Sequence, residues 1–291
     1  MDEVNGYIPG YQPYLYELPV DIGNYKKGTL LMAACSRNAA ENERTHIILQ
    51  ASTDLGESWT GVCNIAIGGS FSDGIWEPVL QYDEHTKKLY CFYSDQSDEN
   101  YSQKLVFKST TDLKNWSDIK NMVALSDSTL APGMVALTKM GNGKWALAYE
   151  IGSSSGPLIH IKFADFIDDW DPSDKGMPVA DKNTGGMCRS GPAIAWTPAG
   201  GDCGTLIVTS HDDQNNAGTE TKCGLFLSFD YGKNFVVIEN PIPNMSNEFC
   251  SSGYSPGFYV DKEGTVYYVN NPECYRNSFN EKLMFARIRV Y

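Results

Sequence analysis

The stretch Ser52-Thr-Asp54-Leu-Gly56-Glu-Ser-Trp59 has the form Ser-x-Asp-x-Gly-x-x-Trp, and it decides the fold because the chain repeats it. Residues 228–235 repeat it with Phe in the last position, and residues 110–116 form a copy that is one residue shorter. Residues 165–170 keep only the spacing from Asp to Trp. A repeat of roughly 40–60 residues predicts a propeller or another repeat array, because one such unit cannot bury its apolar face alone.

Each copy is predicted to form the turn that leaves a β-strand. An aspartate side chain can accept hydrogen bonds from the backbone N–H groups of its own turn. Gly56 and Gly232 can take a positive φ at low cost. The aromatic residue is then expected to fold back beneath the turn. An extended apolar stretch such as residues 46–51 precedes each copy. The four aspartates (Asp54, Asp112, Asp165 and Asp230) are therefore predicted to be structural and distant from any site.

A second repeat runs in phase with the first. A proline-containing segment opens each unit, and an apolar strand, a turn and a second apolar strand follow it, which is the pattern of a hairpin. Five units of this kind begin near residues 11, 74, 130, 189 and 252. Propellers of this length form one domain. We therefore predict an all-β propeller with five visible repeat units in a single domain spanning residues 1–291.

The charge of the chain limits its partners. The formal net charge is −13 and the sequence pI is about 4.7. Without a basic stripe, nucleic acid is not an expected partner. Repulsion also disfavours anionic membranes and polyanionic substrates, and no apolar run approaches the ~20 residues that span a bilayer. No metal-binding motif and no phosphate-binding loop occurs, so we expect neither a metal nor a cofactor, and we expect a monomer.

Eight cysteines leave two interpretations of the compartment open. None forms a C-x-x-C motif, and no histidine lies near them at ligand spacing, so a zinc site is not predicted. An even number of cysteines in loops suits disulfides in a secreted protein, with Cys188–Cys203 or Cys250–Cys274 as pairs that could staple one sheet. The alternative is eight free thiols in a cytosolic protein. We favour secretion, although this chain shows no signal peptide.

The repeats resemble the Asp-boxes of sialidase-like propellers, and more specifically the blades of glycoside hydrolase family 93. That resemblance implies a six-bladed propeller that acts as an exo-α-1,5-L-arabinanase, retains the anomeric configuration and releases arabinobiose. In that family a further blade precedes the Gln12 unit, so this chain either forms five blades or has lost the first one. The stretches that carry the resemblance are residues 12–18 (QPYLYEL), 74–80 (GIWEPVL), 91–95 (CFYSD), 132–137 (PGMVAL), 148–150 (AYE), 190–194 (SGPAI) and 206–210 (LIVTS).

The candidate site residues follow from where propellers bind ligands. Ligands lie at the central axis, on the face where the innermost strands begin, so residues around the proline segments and at the ends of the second strands should converge there. Two of these residues, Glu77 and Glu150, are predicted to be catalytic. The others are predicted to bind substrate, a neutral oligo- or polysaccharide: Gln12, Trp76, Tyr149, Arg189, His211, Asp212 and Tyr254. Trp76 could stack on a sugar or serve packing, and His211 with Asp212 could orient a carboxylate or form a solvated turn.

Glu77 and Glu150 form the sharpest pair because each lies in an apolar run, where an unpaired charge is costly. Glycoside hydrolysis needs two carboxyl groups. The resemblance implies Glu77 as the nucleophile and Glu150 as the acid/base. The alternative for either side chain is that it caps backbone amides near the axis.

Two other functions stay open. One is a non-catalytic carbohydrate-binding propeller. The other is a sialidase, with Tyr254 as its nucleophile. Sialidases clamp a carboxylate with three arginines, yet only Arg189 is well placed here, because Arg37 and Arg44 are expected in an outer loop.

Overall fold

A computed structural model describes residues 10–37, 44–209, 212–214, 220–222, 224–242, 256–273 and 282–290. Within these ranges the protein is built of β-strands and contains no α-helix, and no helix there is long and apolar enough to cross a membrane. The residues group into two compact units, one of residues 1–135 and 171–174, the other of residues 136–170 and 175–291. The single domain expected from the sequence stays a prediction.

The first unit contains two four-stranded antiparallel sheets whose strands follow one another in chain order. The first sheet comprises β1 (Tyr11–Glu17), β2 (Leu30–Arg37), β3 (Thr45–Ser52) and β4 (Thr60–Ile67). The second comprises β5 (Ile75–Asp83), β6 (Lys88–Asp95), β7 (Lys104–Thr110) and β8 (Lys120–Val123). The apolar side chains of both sheets form one core, in which β3 is buried along its whole length.

The third and fourth repeat units form two further sheets of the same kind. The third sheet comprises β9 (Ala131–Lys139), β10 (Trp145–Gly152), β11 (Leu158–Ala164) and β12 (Met177–Pro178). The fourth comprises β14 (Ala193–Thr197), β15 (Thr205–Thr209), β18 (Gly224–Ser228) and β19 (Val236–Glu239). The part of these sheets that belongs to the second unit shares a core that includes Ala148, Ile161 and Phe226.

The second unit also contains two three-stranded sheets. The small sheet comprises β13 (Met187–Arg189), β16 (Asp212–Gln214) and β17 (Glu220–Lys222). The last sheet comprises β20 (Gly257–Val260), β21 (Val266–Glu273) and β22 (Lys282–Ile288). The sheets of the five repeat units begin with β1, β5, β9, β14 and β20, and each starts within a few residues of its predicted position.

The repeated turns have the predicted geometry in the first and fourth copies. Ser52 Oγ accepts a hydrogen bond from Gly56 N at 2.8 Å, and Asp54 Oδ1 accepts one from Ser58 N at 2.9 Å. Trp59 folds back and donates from Nε1 to the carbonyl of Gly56 at 3.1 Å. The fourth copy repeats these contacts from its own serine and aspartate. Each copy follows a third strand of its sheet, as predicted.

The other two copies depart from the pattern to different degrees. Asp112 in the short copy accepts from the backbone N–H of Lys114 at 2.9 Å and of Asn115 at 2.7 Å. Asp165 forms an exposed ion pair with Lys144 at 2.6 Å. The sequence of this third copy keeps only the Asp-to-Trp spacing, and its aspartate accordingly has a different role.

Replacement of Asp54 by Asn is expected to destabilise the protein at neutral pH. Hydrogen bonds from Ser58 and Ser52 lower the pKa of Asp54 from its usual 3.8 to about 2. A carboxyl group with a lowered pKa contributes stability above its unfolded-state pKa, and that contribution is lost as the pH falls through 3.8 toward about 2. Denaturant midpoints of wild type and Asp54→Asn should therefore differ at pH 7 and converge near pH 2. Asp165→Asn is the matched control, and an equal effect there would contradict the argument.

The cysteine prediction is wrong for one of its two pairs. Cys188 and Cys203 do not form a disulfide, and Cys35, Cys63 and Cys91 are thiols as well. Cys188 is fully buried in the core of the second unit, whereas Cys203 lies in the turn before β15, where its carbonyl accepts from Trp196 Nε1. Burial raises the pKa of Cys35 to about 12, so that thiol stays protonated at neutral pH. Cys250 and Cys274 lie outside the described residues.

Candidate active site

Glu77 lies in a β-bulge of β5. The register between β5 and β6 shifts between Trp76 and Val79, so Glu77 and Pro78 together oppose the single residue Tyr93. Glu77 has a φ of 59°, a left-handed conformation that is uncommon for residues other than glycine. Bulges redirect side chains and are frequent next to active sites. The bulge therefore sets the direction of the Glu77 side chain.

The same backbone feature recurs at the other proline segments. Gln12 lies at a register shift of β1 and has a φ of 49°. Met134 and Ser190 have φ values of 57° and 54°. Proline lacks an N–H group and is tolerated in strands chiefly at such interruptions of the hydrogen-bond ladder. In four of the five units a residue with positive φ thus lies close to the repeated proline, and in the first two units it lies in a β-bulge of the first strand.

The carboxylate of Glu77 receives three neutral hydrogen-bond donors. Oε2 accepts from Ser94 Oγ at 2.7 Å and from the backbone N of Met134 at 3.0 Å. Oε1 accepts from Gln12 Nε2 at 3.3 Å, and Gln12 Oε1 in turn accepts from Glu77 N at 3.2 Å. Donors aimed at a carboxylate stabilise its negative charge and fix its orientation. Glu77 is thus a carboxylate held in one position.

Glu150 lies in the second unit, on β10 opposite Ile159. Its Oε2 accepts a hydrogen bond from Gly191 N at 3.0 Å. Glu77 and Glu150 therefore both cap a backbone amide at a positive-φ segment, as the alternative interpretation expected. Capping occupies one lone pair of one oxygen and leaves further acceptor capacity on the same carboxylate, so it is compatible with a catalytic role.

A cavity of about 420 Å³ adjoins Glu77 in the first unit. Ligand pockets of proteins have about this size and combine aromatic walls with a few polar groups. The rings of Phe71 and Trp76 meet edge to face with their centroids 5.0 Å apart, and Trp76 Nε1 donates to Gln96 Oε1 at 2.9 Å. The residues that line the cavity are Tyr11, Gln12, Phe71, Trp76, Glu77, Gln96 and Gln103.

Three of the predicted residues thus share one cavity: Gln12, Trp76 and Glu77. Among those in the second unit, Tyr149 is fully buried, with its ring 6.3 Å from that of His160, whose pKa is lowered by burial. Arg189 is 9% exposed, and its Nη2 donates to the carbonyl of Ser155 at 3.4 Å. These two residues hold buried positions, and a direct contact with substrate stays a prediction for them.

Of the three remaining predicted residues, the structure describes only Asp212. Asp212 begins strand β16, where its backbone pairs with Arg189, so the solvated turn considered for it is wrong. His211 and Tyr254 lie outside the described residues. In the described ranges, no three His, Cys, Asp or Glu side chains are grouped so that they could hold a metal ion.

Several residues of the cavity region were not among those predicted from the sequence. Ser94 lies near the end of the second strand of its sheet, directly after Tyr93, as Glu150 follows Tyr149 in the third sheet, so aligning the second strands would have found it. Gln96 follows the last residue of β6, and Gln103 precedes the first residue of β7. An alignment of the second strands would therefore not have found them. The expectation that Arg37 lies in an outer loop is wrong, because it ends β2 and packs on two rings of the cavity.

Replacement of Ser94 by Ala is expected to lower kcat/KM by about 10-fold or more, because a hydrogen bond to a charged group is worth about 1.5–3 kcal/mol. Ser94 is fully buried and donates to Glu77, so we expect it to act through Glu77 as a positioning residue. Loss of one donor to the carboxylate should also move the acidic limb of the pH–rate profile to higher pH. Ser94→Thr keeps the hydroxyl and should restore both properties. Ser109→Ala on β7 is the control, and an unchanged profile in Ser94→Ala would refute the role.

Comparison with known proteins assigns the chain to a class. No family model and no curated protein sequence matches it. Among solved structures, an α-L-arabinanase of Penicillium chrysogenum complexed with arabinobiose is 30% identical, with a TM-score of 0.82, over 99% of this chain and 79% of that one. The family 93 α-L-arabinofuranosidase of Fusarium graminearum, also complexed with arabinobiose, is 25% identical over the same shares, with a TM-score of 0.84.

The fold is therefore that of a β-propeller glycoside hydrolase, which confirms the predicted fold class and its five repeat units. The chain belongs to glycoside hydrolase family 93.

Proposed function

We propose that the protein is a retaining, exo-acting α-1,5-L-arabinanase that releases arabinobiose from arabinan. The observation that carries the proposal is the likeness over 99% of this chain to an arabinanase complexed with arabinobiose. The Fusarium arabinofuranosidase complexed with the same disaccharide supports an arabinan-type substrate. Both solved structures support hydrolysis of an arabinan-type substrate. The exo mode and the retention of configuration are more specific claims, which the experiment below tests separately.

Glu77 is the nucleophile in this proposal. A retaining glycosidase needs one carboxylate that attacks the anomeric carbon and forms a covalent glycosyl-enzyme. The three neutral donors around Glu77 favour the charged form, and the bulge directs its side chain to the cavity. A nucleophile must be ionised and fixed in orientation, and both requirements agree with these contacts.

Glu150 is the acid/base. It first gives its proton to the oxygen of the departing arabinan chain and then removes a proton from the water that hydrolyses the intermediate. Its contact with Gly191 N fixes Oε2 and leaves the carboxyl group capacity for proton transfer.

A neutral sugar suits the cavity next to Glu77. Aromatic side chains offer apolar faces to the C–H groups of a sugar ring, and amide side chains such as Gln96 and Gln103 can donate to or accept from its hydroxyls. A neutral polysaccharide also avoids repulsion by the net charge of −13. We further propose a secreted monomer that binds neither nucleic acid nor membranes.

The test is incubation with linear 1,5-arabinan, with products followed by chromatography and by proton NMR. Exo action should release disaccharide from the earliest time points, and retention should give first the anomer that has the configuration of the cleaved bond. A ladder of long fragments would contradict the exo mode, and the opposite anomer would contradict retention. Absence of products from arabinan would refute the hydrolase proposal, and cleavage of a sialoside would favour the sialidase alternative.

A non-catalytic carbohydrate-binding propeller is the second candidate. It is favoured by one observation, that both carboxylates cap backbone amides and so have a structural task. Binding of arabino-oligosaccharides without any turnover would support it.

A further inference from the structure

Arg37 lies beside the cavity that holds Glu77. It is the last residue of β2 and is exposed to solvent. Its Cζ atom lies 5.8 Å from the centre of the Tyr11 ring and 5.3 Å from the centre of the Phe71 ring. Both rings line the cavity. The two aromatic side chains therefore hold a positive charge at the edge of the sugar site.

The contacts of Arg37 differ from those of Lys104, Lys144 and Arg44. Lys104 is paired with Asp98 at 2.6 Å, and Lys144 with Asp165 at 2.6 Å. Arg44 donates to the carbonyl of Gly68 at 2.9 Å. In the part of the chain that the structure describes, Arg37 forms ring contacts but neither an ion pair nor a hydrogen bond. Its N–H donors are thus not used by the protein there.

A guanidinium that packs against aromatic rings keeps its N–H groups in the plane of the group and free to donate. That planar edge matches the two oxygens of a carboxylate, which it can bind through two parallel hydrogen bonds. Glu77 also adds a negative charge to the cavity, but its oxygens already receive three donors within the protein. A carboxylate on a ligand would therefore meet, at Arg37, donors that no described residue of the protein uses.

We propose that Arg37, with Tyr11 and Phe71, forms a subsite for a carboxylate-bearing sugar, that is, a uronate adjoining the neutral sugar in the cavity. The inference rests on the proposed function insofar as it takes the cavity to bind sugars. A single uronate is accommodated by Arg37, whereas the net charge of −13 disfavours a long polyuronate.

The experiment compares two matched disaccharides, galacturonosyl-rhamnose and the corresponding neutral galactosyl-rhamnose, by ligand-observed NMR titration; the two differ only in one carboxylate. Wild type is expected to bind the uronate-containing disaccharide about 10-fold more tightly, in the range of a charge-assisted bidentate contact. Because the contact is exposed, the preference should shrink with added salt. Arg37→Gln should abolish the preference, and Arg37→Lys should retain part of it because the charge remains without the planar fork.

Arg287→Gln is the matched control, since Arg287 packs over the ring of Tyr267 at 6.0 Å in the other unit. The preference should survive in this variant. Equal affinity of wild type for both disaccharides, or a preference that persists in Arg37→Gln, would overturn the subsite. Arabinan turnover is measured separately: cleavage without a uronate preference refutes only the subsite, and a preference that depends on Arg37 without cleavage refutes only the hydrolase.

Discussion

Replacement of Glu77 by Gly is expected to lower kcat on 1,5-linked arabinan by about 10⁴-fold or more, the size of effect seen when the nucleophile of a covalent mechanism is removed. The carboxylate is the attacking group in the proposed mechanism, and no other acidic side chain lines its cavity among the described residues. Added azide can take the place of the missing carboxylate. It should restore turnover of an aryl arabinobioside and give a glycosyl azide of inverted configuration.

The control for this experiment is Glu84→Gln, which removes an exposed carboxylate from the turn between β5 and β6. It should leave kcat unchanged. Full arabinan turnover in Glu77→Gly would exclude the nucleophile assignment. If azide instead produced a glycosyl azide of retained configuration, Glu77 would be the acid/base and the two roles would be exchanged.

Replacement of Glu150 by Gln is expected to lower kcat on arabinan by about 10²–10⁴-fold, the usual contribution of a general acid or base. The loss should be much smaller for formation of the glycosyl-enzyme from a dinitrophenyl arabinobioside, because that leaving group departs without protonation. Pre-steady-state release of dinitrophenolate measures this step. The basic limb of the pH–rate profile should also disappear, since it reports the group that must hold a proton.

Glu263→Gln removes an exposed carboxylate from the same unit and is the control for Glu150. An equal loss on both substrates would show that Glu150 supports the structure of the site rather than proton transfer. Retention of wild-type activity on arabinan would remove Glu150 from the mechanism.

The repeat pattern predicted the order of the sheets because it depends on local chemistry. A serine, an aspartate and a glycine within five residues suffice to form the turn after β3, whatever packs around it. The same local information explains the departure at Asp165, because Phe163 stands where the other copies have a serine or threonine. Turn chemistry of this kind can be read from one sequence.

The bulges could not be predicted in the same way. The positive φ of Glu77 depends on the register between β5 and β6, which is set by pairing over the whole length of both strands. Arg37 reaches the cavity region through tertiary packing, so its neighbours in sequence gave no sign of it. The even number of cysteines was misleading for Cys188, because a small apolar side chain suited to a core and a disulfide partner look alike in a sequence.

The contacts of Glu77 have a consequence for how the enzyme tolerates change. Gln12 lies 65 positions before Glu77, and Met134 lies 57 positions after it. The side chain of Gln12 nevertheless accepts from the backbone N of Glu77, and the backbone N of Met134 donates to the Glu77 carboxylate. Three strand interruptions are thus joined in series by side chain to main chain contacts. Lengthening or shortening a loop near residue 12 or 134 is expected to turn the carboxylate of Glu77, the proposed nucleophile, away from its present direction without changing any residue of the cavity. Activity would then depend on the spacing of distant parts of the chain as well as on the cavity residues.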